Sequence, residues 1–262
     1  MPLKLTYNAL GGKAKFSGTS GRLKTVYTKP QIIPSGLILN LDAGNTLSYP
    51  GTGTIWTDLS GNNNSGSLIN GPTFSTDNGG SIVFDGTNDY VLLPTNFFNN
   101  NAGTPFTVSF WFKTSTNRGV LFGQSNATSP SSFATGYTPG LYIDSNGKLA
   151  TSCFWGGSTT NISTSTGIVT DGTWKNATVT FQSTSQVSYL NGSSYATISK
   201  TQTSYSSTYY YFIGSGEYAS WPSAFNSPYF TGLVSKMIFY NRALTASEVL
   251  YNYNIDKARF GL

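Results

Sequence analysis

The side chains that carry most enzymatic chemistry are scarce in this sequence. Histidine is absent, cysteine occurs once, and only Glu217 and Glu248 are glutamates. Without histidine there is no Ser-His-Asp or Cys-His nucleophile pair, no imidazole metal ligand and no imidazole pH switch. The single cysteine, Cys153, permits neither an internal disulfide nor a cysteine-cluster zinc site. In the run Leu149-Ala150-Thr151-Ser152-Cys153-Phe154 it reads as a small apolar core residue. Aromatic rings in candidate loops are the residues left for recognition. Trp155 precedes Gly156-Gly157, and Tyr218, Trp221 and Tyr229 share a stretch with Pro222 and Pro228. Flat rings beside Asn, Asp and backbone groups make a shallow sugar-binding surface, so these four are the candidate carbohydrate contacts. The alternative is that the rings cover an edge of the fold or pack on a neighbouring chain.

The elements that must position them are strands. The chain has 262 residues, and only 10% are charged, against roughly 25% in an ordinary globular domain. Gly, Ser, Thr, Asn and aromatic residues fill the difference, which suits many short strands joined by tight turns. Alternating apolar runs occur at Leu37–Leu41, Ser81–Phe84 and Phe106–Phe112, and further strands are expected at 119–124, 173–181, 208–214 and 231–240. Asn146-Gly147 and Asn191-Gly192 each sit between such runs and predict type I′ hairpins. Ten or more strands with hairpin corners make a two-sheet antiparallel sandwich or jelly roll. Thr245-Ala246-Ser247-Glu248 is a capping box and predicts one short helix over 246–254.

Charge divides the chain near residue 35. Lys4, Lys13, Lys15, Arg22, Lys24 and Lys29 precede that point without a single acid, so the net charge of +5 belongs to an arm. The division is a basic arm (1–35), a sandwich (36–254) and a C-terminal tail (255–262). Candidate strands in the arm are Leu3–Tyr7 and Leu23–Tyr27. Leu5 and Tyr7, or alternatively Val26, are expected to add a strand to an exposed sheet edge, with the six basic residues on an acidic partner surface. An arm this poor in apolar residues is ordered only when docked on a partner chain or on the body. Six charges without an arginine-rich cluster are too sparse for nucleic acid, so none is expected. The N-terminus lacks a signal-peptide apolar run and no stretch is long enough to span a membrane, so neither a cleaved export signal nor a membrane partner is expected.

Several segments resemble the laminin-G-like group of the concanavalin A-like lectin/glucanase superfamily. They are Gly36–Asn45, Thr54–Gly61, Ser81–Val91 with its Phe84-Asp85-Gly86 and Asn88-Asp89-Tyr90-Val91, Asp171–Trp174, Tyr189–Gly192 and Phe239–Glu248. The resemblance implies a two-sheet jelly-roll sandwich with one closing helix. Asp85, Asn88 and Asp89 then read as corner residues capping amides around Gly86, with Arg242 tying the helix entry to neighbouring carbonyls. A calcium site at Asp85 and Asp89 is the other reading of that corner. Calcium-holding relatives often carry acids in the strand before the closing helix, where this chain has Lys236, so neither metal nor cofactor is expected. The glucanase side of the superfamily uses two carboxyls about 5 Å apart. Here Glu248 belongs to the helix cap, Glu217 has no acid nearby in sequence, and the aspartates sit singly at turns. No catalytic residues are expected, and no enzymatic activity.

Stand-alone domains of this group with a similar closing motif occur among tailed-phage virion proteins. The resemblance therefore implies a virion structural protein, a head decoration or a tail-fibre part. Such a protein would be assembled in the host cytoplasm and anchored by its arm to other virion proteins. It would form a homo-oligomer and turn its sandwich toward host glycans. The alternative is a soluble carbohydrate-binding module without a particle role.

Overall fold

The computed structural model describes residues 31–95, 97–98, 103–130, 136–152, 162–201, 208–217, 221–223 and 227–262, together with two short strands in the arm. In chain order the strands are β1 (Lys13–Phe16), β2 (Lys24–Tyr27), β3 (Leu37–Asp42), β4 (Ile55–Trp56), β5 (Gly66–Ile69) and β6 (Thr73–Ser75). They continue with β7 (Ser81–Asp85), β8 (Tyr90–Leu93), β9 (Phe106–Lys113), β10 (Val120–Ser125), β11 (Tyr137–Ile143) and β12 (Lys148–Thr151). The last are β13 (Ser163–Ile168), β14 (Trp174–Gln182), β15 (Ser185–Leu190), β16 (Ser193–Ser199), β17 (Tyr210–Ile213) and β18 (Thr231–Tyr240). Helix α1 (Ala246–Asp256) and a 3-10 turn (Lys257–Phe260) close the chain.

The strands β3 to β18 form two antiparallel sheets. One runs β13-β12-β11-β10-β17-β8-β5-β4; the other runs β16-β15-β14-β9-β18-β7-β6, with β3 also paired to β18. Between them lies an aromatic core in which Phe106 stacks between Phe181 and Phe239, at 5.6 and 5.8 Å. Phe84, Phe110, Phe112 and Phe122 are fully buried in the same layer. Full burial of such rings stabilises by roughly 1.5–3 kcal/mol each, which explains how so weakly charged a chain folds.

The hairpins form where the sequence puts them, but one turn differs. Asn191 and Gly192 both have positive φ, as a type I′ turn requires. At Asn146-Gly147 only Gly147 does. There the Asp144 carboxylate accepts from the amides of Asn146 and Lys148, both at 2.9 Å, and draws the loop into a longer turn ending in a left-handed glycine.

The Asp85–Tyr90 corner is structural. Asp85 accepts from the Thr87 amide at 2.7 Å, and Asp89 accepts from the Asp85 amide at 3.1 Å. Gly86 has φ +77, and a Cβ there would stand 1.9 Å from Thr231 Oγ1. Gly86→Ala is therefore expected to cost about 1–3 kcal/mol, read as a lowered urea midpoint with unchanged slope. An unchanged midpoint would contradict this account of the corner.

At the C-terminus the capping box forms: Thr245 Oγ1 accepts from the Glu248 amide, and Glu248 accepts from the Thr245 amide at 2.9 Å. Arg242 donates to both carboxylate oxygens of Glu248, at 2.9 and 2.8 Å, and to the Ser35 carbonyl at 2.9 Å. The Arg242 hydrogen bonds, opposed by partial burial, hold the Glu248 carboxyl down at about 2. A depressed folded value stabilises above the ordinary glutamate range near ~4.3, and that contribution is lost as the pH falls through about 2. Melts of the intact chain should lose stability over this window. Glu248→Gln should flatten that loss, and an identical pH profile in the variant would contradict the assignment.

The division at 254 needs correction. The helix continues to Asp256, and the 3-10 turn that follows is packed down, with Phe260 only 4% exposed. Phe260 stacks on Trp111 at 4.2 Å and lies 4.7 Å from Trp174. Arg259 donates to Asp42 Oδ1 at 2.7 Å and to the carbonyls of Gly80 and Asn78. Lys236, where an acid was the alternative, bridges Asp256 at 2.8 Å and Asp42 at 3.5 Å. Burial opposes the Asp42 charge, but Lys236 and Arg259 outweigh it and hold the carboxyl below its ordinary value. Residues 255–260 are thus part of the body.

In the arm, β1 and β2 pair antiparallel, Lys13 opposite Tyr27 and Phe16 opposite Lys24. The second expected strand is present as Lys24–Tyr27, and Lys13, Lys15, Lys24 and Val26 lie in this hairpin. Leu3–Tyr7, and with it Lys4, Leu5 and Tyr7, lies outside the described residues, as do Arg22 and Lys29.

Candidate functional site: the outer face of one sheet

The two outer faces are treated differently. On the β9–β14–β18 sheet, α1 and the turn after it cover the face. Ile238, Tyr240 and Tyr189 pack under Leu244 and Val249, and Trp111 and Trp174 pack under Phe260. The outer face of the other sheet carries no helix among the described residues.

Register places the residues on that second face. Pro139, Gly123, Phe212, Leu92, Ser67 and Ile55 are successive partners across β11, β10, β17, β8, β5 and β4. They alternate with the inward Phe122 and Ile213, so this row points outward. The neighbouring row is Tyr137, Ser125 and Tyr210. On the other side of Phe212 stands Tyr90, its ring edge-on to Phe212 at 5.6 Å. Strand spacing and rise set the diagonal from Tyr90 to Tyr137 at about 20 Å. Within that span Phe212 is fully buried and Tyr90 is 9% exposed, so the rings of these rows open to a ligand are Tyr137 and Tyr210, on either side of Ser125.

The segment after β17 folds back over this face. A Cβ on Gly123 would meet the Ser215 carbonyl at 2.6 Å and Gly216 Cα at 2.7 Å, so the two glycines let backbone lie directly on the sheet. This crossing lays Gly216 over Gly123, and Glu217 after it is within electrostatic reach of Tyr137, as Tyr229 is of Tyr90. Burial raises the Tyr137 phenol, and the charge of Glu217 adds to the rise. Burial likewise raises Tyr90, with Tyr229 contributing. Tyr137, Tyr210, Glu217 and Tyr229 are half-buried, each with one side held by protein and part left accessible.

Of the four aromatic residues singled out in the sequence, the structure brings Tyr229 to this face. Trp221 is on it too, but as a covered residue. It is 4% exposed and packs against Val120, Tyr142 and Ala150, while the Tyr142 hydroxyl donates to the Pro222 carbonyl at 2.9 Å. Its ring anchors the crossing segment and does not present a free platform. Trp155 and Tyr218 lie outside the described residues, as does Cys153. Tyr90, Tyr137, Tyr210 and Glu217 were not singled out. The signal available was Tyr210-Tyr211-Phe212-Ile213, which is aromatic on both faces of a strand where one face should be polar. Among the described residues no three His, Cys, Asp or Glu side chains gather as a metal site.

The chain belongs to the concanavalin A-like lectin/glucanases superfamily, whose laminin G-type family model matches residues 85–250. No curated protein matches the sequence. Among solved structures it is similar to a Trypanosoma rangeli sialidase mutant displaying trans-sialidase activity, with a TM-score of 0.62 and 15% identity, over 89% of this chain and 35% of that one. It is also similar to domain 4 of AbnA, a GH43 extracellular arabinanase from Geobacillus stearothermophilus, in complex with arabinotriose. That match has a TM-score of 0.53 and 16% identity, over 82% of this chain and 97% of that domain. A third is the binding domain of Paraclostridial Mosquitocidal Protein 1, with a TM-score of 0.58 and 15% identity, over 84% of this chain and 52% of that one. The chain thus spans about a third of the sialidase and nearly all of the arabinanase domain. These likenesses establish the sandwich. The expected virion role is corrected by them: the neighbours include sialidases and a domain of an arabinanase, and nothing in them points to a phage particle.

Proposed function

We propose that this chain is a carbohydrate-binding module whose ligand lies on the outer sheet face at Tyr137 and Tyr210, beside the buried Phe212 and Tyr90. The observation that carries this reading is the pair of half-buried tyrosines, Tyr137 and Tyr210, on the sheet face that the closing helix leaves uncovered. Tyrosine rings offer the apolar C–H faces of sugars a flat surface, and their hydroxyls offer hydrogen bonds at the rim. The arabinanase domain, whose structure is in complex with arabinotriose and which is matched over nearly its whole length, supports the reading.

Binding without hydrolysis is part of the proposal. A retaining glycosidase needs two carboxyls about 5 Å apart. Here Glu248 is taken by the helix cap and Arg242, Asp42 and Asp256 by Lys236 and Arg259, and Asp171 by Lys175. Asp58 accepts from the amides of Ser60 in its own turn and of Asn40 on β3, and Asp144 from the amides of Asn146 and Lys148. The test is a glycan array probed with the intact chain. Saturable binding to an oligosaccharide class, with no released sugar on prolonged incubation, is expected. An array without a saturable signal would overturn the reading.

A further inference from the structure

Resting on that binding-face reading, we infer that Trp221 is a positioning residue for the sugar site: it docks the crossing segment and thereby fixes Tyr137, so ligand affinity is coupled to that docking. The segment between β17 and β18 is closed at its neck, where the Phe230 amide donates to the Gly214 carbonyl at 2.9 Å. Its first limb lies on β10 over Gly123, and its last limb is tied by the Val120 amide, which donates to the Pro228 carbonyl at 3.1 Å. In the middle, the Tyr142 hydroxyl donates to the Pro222 carbonyl at 2.9 Å and the Ser145 amide to the Ser223 carbonyl at 3.1 Å. Trp221 immediately precedes this middle tie. Its ring is 4% exposed in a cluster with Val120, Tyr142 and Ala150, and the half-buried Tyr137 packs against that same cluster. The covered ring thus supports the accessible one. Interiors are close-packed, so removing the larger ring takes away part of the wall that holds the smaller in place. A site that is competent only while the segment is docked binds with an affinity reduced by the docked fraction. Linkage requires the converse, so bound sugar favours docking. Tyr210 is not part of this cluster among the described residues, so the coupling runs through Tyr137.

The experiment is calorimetric titration of the intact chain, Trp221→Ala, Trp221→Phe, Tyr142→Phe and Tyr137→Ala, with a urea midpoint for each. Arabinotriose is the probe, replaced by the strongest array ligand where arabinotriose does not bind. Trp221→Ala is expected to lose about tenfold or more in affinity, the loss for a site docked about one-tenth of the time. Trp221→Phe keeps a ring in the cluster and should recover most of that loss. Tyr142→Phe keeps its ring but removes the donor to the Pro222 carbonyl, and should lose a few-fold. A merely structural role would lower the midpoints and leave the affinities of the folded variants unchanged, and that result would overturn the inference. So would a loss in Trp221→Ala with none in Tyr137→Ala, because the effect would then not run through Tyr137. Should Trp221→Ala not fold, Tyr142→Phe decides: a few-fold loss supports the inference and an unchanged affinity overturns it. A loss in Tyr137→Ala without one in Trp221→Ala overturns this inference alone and leaves the binding face intact. If the intact chain binds nothing on the array, the binding-face reading fails, and this inference with it.

Discussion

Phe260→Ala is expected to destabilise the domain by about 3–5 kcal/mol, the range for truncating a buried phenylalanine. The ring is 4% exposed, stacked 4.2 Å from Trp111 at an interplanar angle of 17°, with Trp174 at 4.7 Å. Tyr253 stacks on the same Trp111 at 5.6 Å, so removing Phe260 leaves a cavity lined by large rings that small side-chain shifts cannot fill. The loss extends further. Arg259, next in sequence, lies 4.9 Å over the Phe260 ring and ties Asp42, Asn78 and Gly80 together. A frayed terminus would release those bonds and leave the buried Lys236–Asp42 pair short of one cation. Equilibrium urea unfolding measures the effect, with Leu262→Ala, at a side chain 44% exposed, as the comparison that should shift by less than about 0.5 kcal/mol. Equal shifts for the two variants would show that residues 257–262 are a tail after all.

The second large effect concerns recognition. The double variant Tyr137→Ala, Tyr210→Ala is expected to weaken oligosaccharide binding by at least about 100-fold. Each ring is treated as an interface anchor worth about 2 kcal/mol or somewhat less. Both are half-buried and flank Ser125 in one outward row, and Tyr137 also packs against the buried cluster of Val120, Tyr142, Ala150 and Trp221, so stability is measured beside affinity. Calorimetric titration with an array-selected oligosaccharide reads the loss, and a urea midpoint close to that of the intact chain separates it from misfolding. Retained affinity in a folded double variant would place the ligand elsewhere.

Much of the architecture was legible because it follows from local rules. Alternation in Phe106–Phe112 marks a strand with an apolar face, and Thr245 with Glu248 marks a helix start. What was not legible depends on which surfaces end up covered. Trp221, between glycine- and proline-rich stretches, looks like an exposed loop aromatic. It is buried because the segment folds back on its own sheet, a path signalled only by glycine at both Gly123 and Gly216. Tyr90, Tyr137 and Tyr210 lie on strands and look like ordinary sheet-face residues. Their significance appears only once Val249 and Phe260 are seen to close the opposite face. The tail was misjudged for a related reason: Lys257-Ala258-Arg259 reads as a charged terminus, while its arginine and the following phenylalanine are anchored by Asp42 and Trp111, distant in sequence. The turn at Asn146-Gly147 departed from its expected type because the Asp144 side chain, not the dipeptide, sets the loop.

The most direct test of the proposed binding face is a crystal structure of the intact chain with an array-selected oligosaccharide. The sugar is expected against the rings of Tyr137 and Tyr210. An oligosaccharide bound at the sandwich edge, or on the helix-covered sheet, would contradict it.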